Sequence, residues 1–459
     1  MSLWKLQEIF TALGKKEKTN EEYIFSGVSI DTRTIKKGEI FIPIKGKNFD
    51  GHNFIEKAFK KGALASFSES KNNFEDKKLI IVVKNTQEAL EKLAKYSRKR
   101  NKNLVTICVT GSSGKTTLKD WVSNAFKKHK KLYKTKGNLN NQIGLPLTLA
   151  NMPRNTELCV LELGMNSPGE IKKLSKIAKP NIAIITSIGA AHSGNFSSIK
   201  RIAEEKSDIF SYCNKNSIAI IPRETKYFEL INKKAITKTN KILTFGFDNI
   251  CNIKFDKKNK NSKWNFNILG EKIVLENNFP FANWTHNIGI ILCLSRILKI
   301  DLKKITPILK KLIPTEGRGK ISKIKINNKN LTIIDESYNS NPESLNTALQ
   351  NLSNFKYSSN RIICIIGDML ELGKMANTYH LKATKVLVKL KPQIIITVGE
   401  YSKIIFDNLP ESFLKFHYYD YKNAMKKLFK IMRNKDVIML KGSNSINLHL
   451  ITKKLLDLG

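Results

Sequence analysis

Seven short runs of β-branched and aliphatic residues most constrain how this chain can fold: LVTICVTG (104–111), ELCVLELG (157–164), NIAIITSIG (181–189), SIAIIP (217–222), RIICIIGD (361–368), QIIITVG (393–399) and DVIMLKG (436–442). Each is apolar without alternation, so each strand needs cover on both faces. That is the signature of parallel sheets built from strand–helix–strand units. The first run feeds a helical pattern, KTTLKDWVSNAFKKH. The runs fall into two sets, which predicts two α/β domains. The first hundred residues form a third, smaller unit, in which DTRTIKKGEIFIPIKG reads as a turn followed by a strand. Polar or loop-like stretches at YSRKRNKN (96–103) and LIPTEGRGK (312–320) mark boundaries, giving domains at 1–100, 101–314 and 315–459. Three domains suit a chain of 459 residues at roughly 100–200 residues per domain.

Composition narrows the setting. No apolar run reaches the ~18 residues of a membrane span, and MSLWKLQEIF lacks a basic segment followed by a long apolar one. The six cysteines approach no closer than Cys213 and Cys251, 38 positions apart, which excludes C-x-x-C chemistry and does not look like a disulfide framework. A cytoplasmic protein is expected. The net charge of +41 invites a nucleic-acid reading. Only ten of the eighty basic residues are Arg, however, and the Lys is spread along the chain among abundant Asn and Ile. Geometric recognition of phosphates favours Arg forks. We therefore read the excess as compositional drift onto solvated faces and expect no specific nucleic-acid partner.

The strongest motif is TGSSGKTT (110–117), set between a strand and a helix. Gly111 and Gly114 let the backbone curl around an anion, with Ser112 and Ser113 between them, and the helix N-terminus adds its partial positive charge. Lys115 can reach β/γ-phosphates, the Thr116 hydroxyl can ligate Mg²⁺, and Thr117 completes the turn. A strict phosphate loop would place Gly where this chain has Val109. Glu162 and His192 sit where parallel strands end, the edge at which α/β sheets bind ligands, and the two together could hold a metal. Lys206, in RIAEEKSDIF, reads from composition as a solvated helix lysine. DESYNSNP (335–342) leaves the strand LTII with Asp335, Glu336, Asn339 and Asn341, able to contact a ribose, a base or a metal-bound water, or simply to form an Asx-rich turn. GRGK (317–320) exposes Arg318 between glycines, suited to stabilising charge on a transferring phosphoryl group.

Taken together these residues resemble the ATP-dependent Mur ligases of bacterial cell-wall synthesis. The resemblance covers almost the whole chain. SIDTRTIKKGEIFIPIKGKNFDGHNFIEKA (29–58) is similar to the family's uridine-nucleotide domain, and TGSSGKTT to its short phosphate loop. TKGNLNNQIGLPLTL (135–149) and ELGMNSPGEI (162–171) resemble the central substrate and metal segments. DESYNSNP, GDMLELG (367–373) and LKGSNS (440–445) resemble C-terminal signatures, of which SYNSNP and GDMLELG are specific to the member that adds the terminal dipeptide. The resemblance implies a small N-terminal α/β uridine-nucleotide domain, a central phosphate-loop ATPase domain with a parallel sheet, and a C-terminal Rossmann-like α/β domain. It implies an acid–D-amino-acid ligase that uses ATP and two Mg²⁺ sites to join D-alanyl-D-alanine to UDP-N-acetylmuramoyl-tripeptide. Residue by residue, it assigns ATP to Gly111 through Thr117, His286, Asn287, Arg318 and Asp335. Metal falls to Thr116, Glu162, His192 and a carbamylated Lys206. Substrate contacts fall to Asp31, Thr32, Arg33, Asn138, Asn141, Asn339 and Asn341. Lys115, Lys206, His192 and Arg318 carry the catalytic role. A monomer is expected.

The chain departs from the family at Ser167 (usually His), Trp284 (Gly), Ile290 (Asn), Glu336 (Asp) and Asn444 (Arg). Three other readings compete. A folylpolyglutamate synthetase shares the chemistry but would lack a segment like 29–58. Another Mur ligase would carry different C-terminal signatures. A nucleic-acid-binding phosphate-loop protein would use the charge.

Overall fold

The computed structural model describes every residue except 1, 18–21, 47, 71–77, 192, 257–262, 277–283 and 357–360. All seven apolar runs are strands. Val105–Thr110, Leu158–Glu162, Ile182–Ile185 and Ile218–Pro222 lie parallel in a nine-stranded sheet. Its order runs from Glu271–Glu276 at one edge through Lys263–Ile268, Ile253–Phe255, Lys241–Gly246, Ile218–Pro222, Ile182–Ile185, Val105–Thr110 and Leu158–Glu162 to Leu132–Lys134. The lack of alternation has the expected cause. Ile107 and Val109 pack on one face with Trp121 and Phe126, while Cys108 faces Leu145 and Leu149 on the other.

Residues Ile362–Gly367, Ile394–Val398 and Val437–Lys441 join Lys329–Glu336 and Leu414–Tyr418 in a second parallel array. The antiparallel strand Lys320–Ile326 lies at its edge. The N-terminal unit carries a four-stranded parallel sheet between residues 27 and 82. Helix Thr86–Arg100 follows and packs on helix Gly144–Ala150 of the central unit. The junction is polar as well as apolar. The Trp4 indole N–H donates to the Ala150 carbonyl at 2.9 Å, and the Asn151 amide bonds both the N–H and the C=O of Val28, at 2.9 and 2.8 Å.

Continuous apolar runs do not reveal the hairpin Lys263–Ile268/Glu271–Glu276. Its strands alternate, with Trp264, Phe266, Ile268, Ile273 and Leu275 inward and Asn265, Asn267 and Val274 outward between them. Such strands need cover on one face only.

Candidate active site

The phosphate-loop segment spans the end of strand Val105–Thr110 and the start of helix Lys115–Phe126. Gly111 and Gly114 both have positive φ, +151° and +81°. A Cβ at Gly111 would lie 1.9 Å from the Thr186 hydroxyl oxygen, so only glycine fits there. Ser112 and Ser113 donate their N–H groups to Ser187, which pins the loop to the neighbouring strand exit. The first amides of the helix, from Lys115 onward, are left without intrahelical acceptors. That arrangement is a place for an anion.

Beside it, Thr116 Oγ1 donates to Glu162 Oε2 at 2.8 Å, and Asn140 Nδ2 donates to Glu162 Oε1 at 2.9 Å. A carboxylate and a hydroxyl set side by side are hard oxygen donors that suit Mg²⁺, which takes few protein ligands and fills its shell with water and substrate phosphates. No group of three or more His, Cys, Asp or Glu residues able to hold a metal occurs among the described residues. The expected ligand His192 lies outside the described residues.

Lys206 is not the solvated lysine its composition suggests. It is 1% exposed, and its Nζ donates to the Gly111 carbonyl at 3.1 Å. Lys115 Nζ donates to the same carbonyl at 2.7 Å. Burial holds the Lys206 ammonium well below the usual lysine range, and the nearby Lys115 pushes it further. Burial lowers Lys115 too, with Glu162 opposing. The amphipathic pattern of helix Ile199–Ser207 turns Ile202, Ala203 and Lys206 inward together.

A cavity of about 520 Å³ opens over the loop. The central wall is Ser112 through Thr117, Asn138, Asn140, Asn141, Glu162, His286 and Asn287. The facing wall comes from the C-terminal unit: Arg318, Glu336, Tyr338, Asn339, Asn341, Glu371 and Lys441. Asn341 Nδ2 donates across to the Ser112 carbonyl at 3.2 Å. The Arg318 guanidinium lies 4.1 Å from the Tyr338 ring centroid. His286 sits among Phe245, Phe247 and Phe255, with centroids at 5.7, 5.9 and 4.7 Å, and burial drops its pKa to about 4.

Four expected residues lie elsewhere. Asp335 turns into the fold, where its carboxylate accepts from the Gly317 N–H (2.7 Å), from Ser337 and from Thr452; it shapes the Arg318 loop and does not line the cavity. Asp31, Thr32 and Arg33 form an N-terminal turn in which Asp31 accepts the Arg33 backbone N–H at 2.8 Å and binds its guanidinium. They do not line this cavity.

Sequence reasoning missed Lys441 and Lys119. Lys441 is 1% exposed, and its Nζ lies 3.4 Å from Glu336 Oε2 and donates to the Asn339 carbonyl at 3.0 Å. Lys119, also 1% exposed, lies one turn beyond Lys115. Its Nζ is 3.8 Å from Glu162 Oε2 and donates to the Gly137 carbonyl at 3.2 Å, tying the Glu162 carboxylate to the asparagine loop. Helical spacing from Lys115 was the one signal for Lys119.

Comparison with known proteins identifies the family. Residues 24–98 match the Mur ligase family catalytic domain, 109–288 the Mur ligase middle domain, and 321–444 the Mur ligase glutamate ligase domain. A relative from Rickettsia prowazekii, named UDP-N-acetylmuramoyl-tripeptide–D-alanyl-D-alanine ligase, is 32% identical over 97% of this chain and 98% of its own. The crystal structure of MurF from Acinetobacter baumannii superposes with a TM-score of 0.86 at 25% identity, covering 99% of both chains. MurF ligase from Thermotoga maritima in complex with ADP gives 0.79 at 26% identity, over 94% of this chain and 98% of that one. The chain belongs to the Mur ligase family, among the UDP-N-acetylmuramoyl-tripeptide–D-alanyl-D-alanine ligases.

Proposed function

We propose that this chain joins D-alanyl-D-alanine to UDP-N-acetylmuramoyl-tripeptide at the expense of ATP, as a cytoplasmic step in peptidoglycan precursor synthesis. The observation that carries the reading is the cavity itself. One wall holds a phosphate loop with Lys115, the other holds Arg318, and both face the same space. The substrate carboxylate attacks the γ-phosphorus, ADP leaves, and an acyl phosphate forms. The dipeptide nitrogen then forms the C–N bond while the carbonyl C–O bond to phosphate breaks. Phosphate departs with that electron pair, and the nitrogen gives up its proton. Lys115 and Arg318 offset charge that grows on the transferring group, a task of positioning and electrostatics. Thr116 and Glu162 would hold Mg²⁺, which neutralises phosphate charge when bound. Asn138, Asn141, Asn339 and Asn341 would orient the substrates.

The remaining roles follow from chemistry. Lys206 favours the neutral amine, the form that reacts with CO₂ to give a carbamate whose oxygens suit Mg²⁺; a second metal would use it with Glu162 and His192. Asp31, Thr32 and Arg33 would contact the uridine nucleotide in the first domain (1–100), ATP would bind the second (101–314) and the dipeptide the third (315–459). Both cavity walls come from one chain, which supports action as a monomer. No helix among the described residues is long and apolar enough to cross a membrane.

An ADP-release assay with UDP-N-acetylmuramoyl-tripeptide tests the reading against its rivals. D-alanyl-D-alanine should stimulate release, whereas glutamate or DNA should not. Stimulation by glutamate alone would point to a different ligase, and by DNA alone to a nucleic-acid-dependent ATPase.

A further inference from the structure

We infer that His380, outside every expected site, is a positioning residue that fixes the 368–373 loop as the seal between the two cavity walls. The inference rests on the ligase reading above and concerns how the acyl phosphate is kept for the amine. His380 lies in helix Ala376–Leu390 and is fully enclosed, at 0% exposure. Its Nε2 is 3.0 Å from the Met369 amide nitrogen, and its Nδ1 is 2.7 Å from the Ala376 carbonyl oxygen. An amide N–H can only donate and a carbonyl can only accept. Nε2 is therefore the bare acceptor and Nδ1 carries the proton: a neutral ring in one tautomer.

The neighbours of Met369 are fixed as firmly. The Asp368 carboxylate accepts from the Ser402 and Glu400 amides at 2.7 and 3.0 Å, and the Leu370 amide donates to Ser443 Oγ at 2.9 Å. Three successive residues are thus held from three different elements. What they deliver is Glu371, which lines the cavity and whose carbonyl accepts the Gly194 N–H of the central unit at 2.8 Å. The contact is backbone against backbone. A Cβ at Gly194 would lie 2.9 Å from the Gly373 nitrogen, and one at Gly373 would lie 2.7 Å from Gly194 Cα. A joint this close tolerates little displacement, and His380 is one of the three anchors that set its height.

The chemistry gives the joint its purpose. Water attacking the acyl phosphate carbon releases the same phosphate as the amine does but returns the free carboxylate, so a loose seal wastes ATP. The test measures phosphate and amide in the same reaction of the full-length protein. Wild type should release one phosphate per amide. His380→Leu, which offers no acceptor to Met369, should release several-fold more phosphate than amide and raise KM for the dipeptide while leaving KM for ATP unchanged. His380→Gln, whose amide oxygen can accept from Met369, should restore most of the coupling. Gly194→Ala acts from the opposite wall with φ outside the left-handed region; it should uncouple in the same way with an unchanged Tm. Wild-type coupling in both His380→Leu and Gly194→Ala would overturn the inference. Coupling lost in His380→Leu together with its Tm, but intact in Gly194→Ala, would also overturn it, by showing a purely structural histidine. Failure of the wild type to form amide would instead remove the ligase reading.

Discussion

Two pairs of charged groups flank the cavity, each joining a buried lysine (Lys206 or Lys441) to a half-buried partner (Lys115 or Glu336), and they are built on opposite plans. On the central wall Lys115 and Lys206 converge on one carbonyl, that of Gly111. Burial and the neighbouring Lys115 depress Lys206, with Glu205 opposing, while Glu162 opposes the depression of Lys115. On the facing wall Lys441 is paired with Glu336, so burial drives the carboxyl up and the ammonium down while each partner opposes the shift. In the first pair only Lys115 faces the cavity, with Lys206 enclosed behind the loop on the Gly111 carbonyl. The second is neutralised internally and serves as a fixed wall. Function and stability should therefore separate between them.

The sharpest break would come at Lys115. Lys115→Ala should abolish ligation at the cost of several kcal/mol of transition-state stabilisation, with an unchanged circular dichroism spectrum; turnover near wild type would remove the phosphate-loop assignment. Lys206→Ala should greatly lower activity, and a short-chain carboxylic acid should partly rescue it by supplying the missing oxygens. Lys206→Arg should not be rescued, because its bulk and permanent charge remain. Full activity of the alanine variant without added acid would make Lys206 a bystander.

Stability should reverse the ranking. Lys441→Met leaves the half-buried Glu336 without its nearest partner and should destabilise by about 1–3 kcal/mol, the range for leaving a polar group unsatisfied. Lys206→Met removes a buried amine held by the Gly111 carbonyl and Glu205, beside the repelling Lys115, and should lower Tm less than Lys441→Met in the absence of nucleotide. Equal Tm losses in the two variants would erase the distinction. The smallest effect concerns His286. Its pKa falls from 6.5 to about 4, so the unfolded chain takes up a proton first as pH drops. Its contribution is full above pH 6.5 and is lost through pH 4, at most about 3 kcal/mol. The Tm decline over that window should flatten in His286→Gln.

The apolar runs were legible because a doubly covered parallel strand leaves no polar alternation to confuse it. The hairpin at 263–276 was not, since half its residues face solvent. At the site, loop chemistry was readable wherever backbone shape dictated the residue, as at Gly111. Side-chain direction was less so. Asp335 and Glu336 are adjacent, and strand alternation sends one inward to the Arg318 loop and the other to the cavity. Lys206, Lys119 and Lys441 look like any of the seventy lysines until tertiary packing buries them.

The strand Lys320–Ile326 forms the open edge of the C-terminal sheet, with sequence KISKIKI. A sheet of isoleucine-rich strands with a free edge invites another chain to add itself. Here Lys323 and Lys325 stand exposed along that edge, so an approaching copy meets its own charge. The lysine excess thereby gains a colloidal role: it keeps copies of a highly β-branched protein apart. That protection is borrowed from the solvent, because near 1 M salt the screening length falls to about 3 Å, and concentrated stocks should then self-associate while remaining folded.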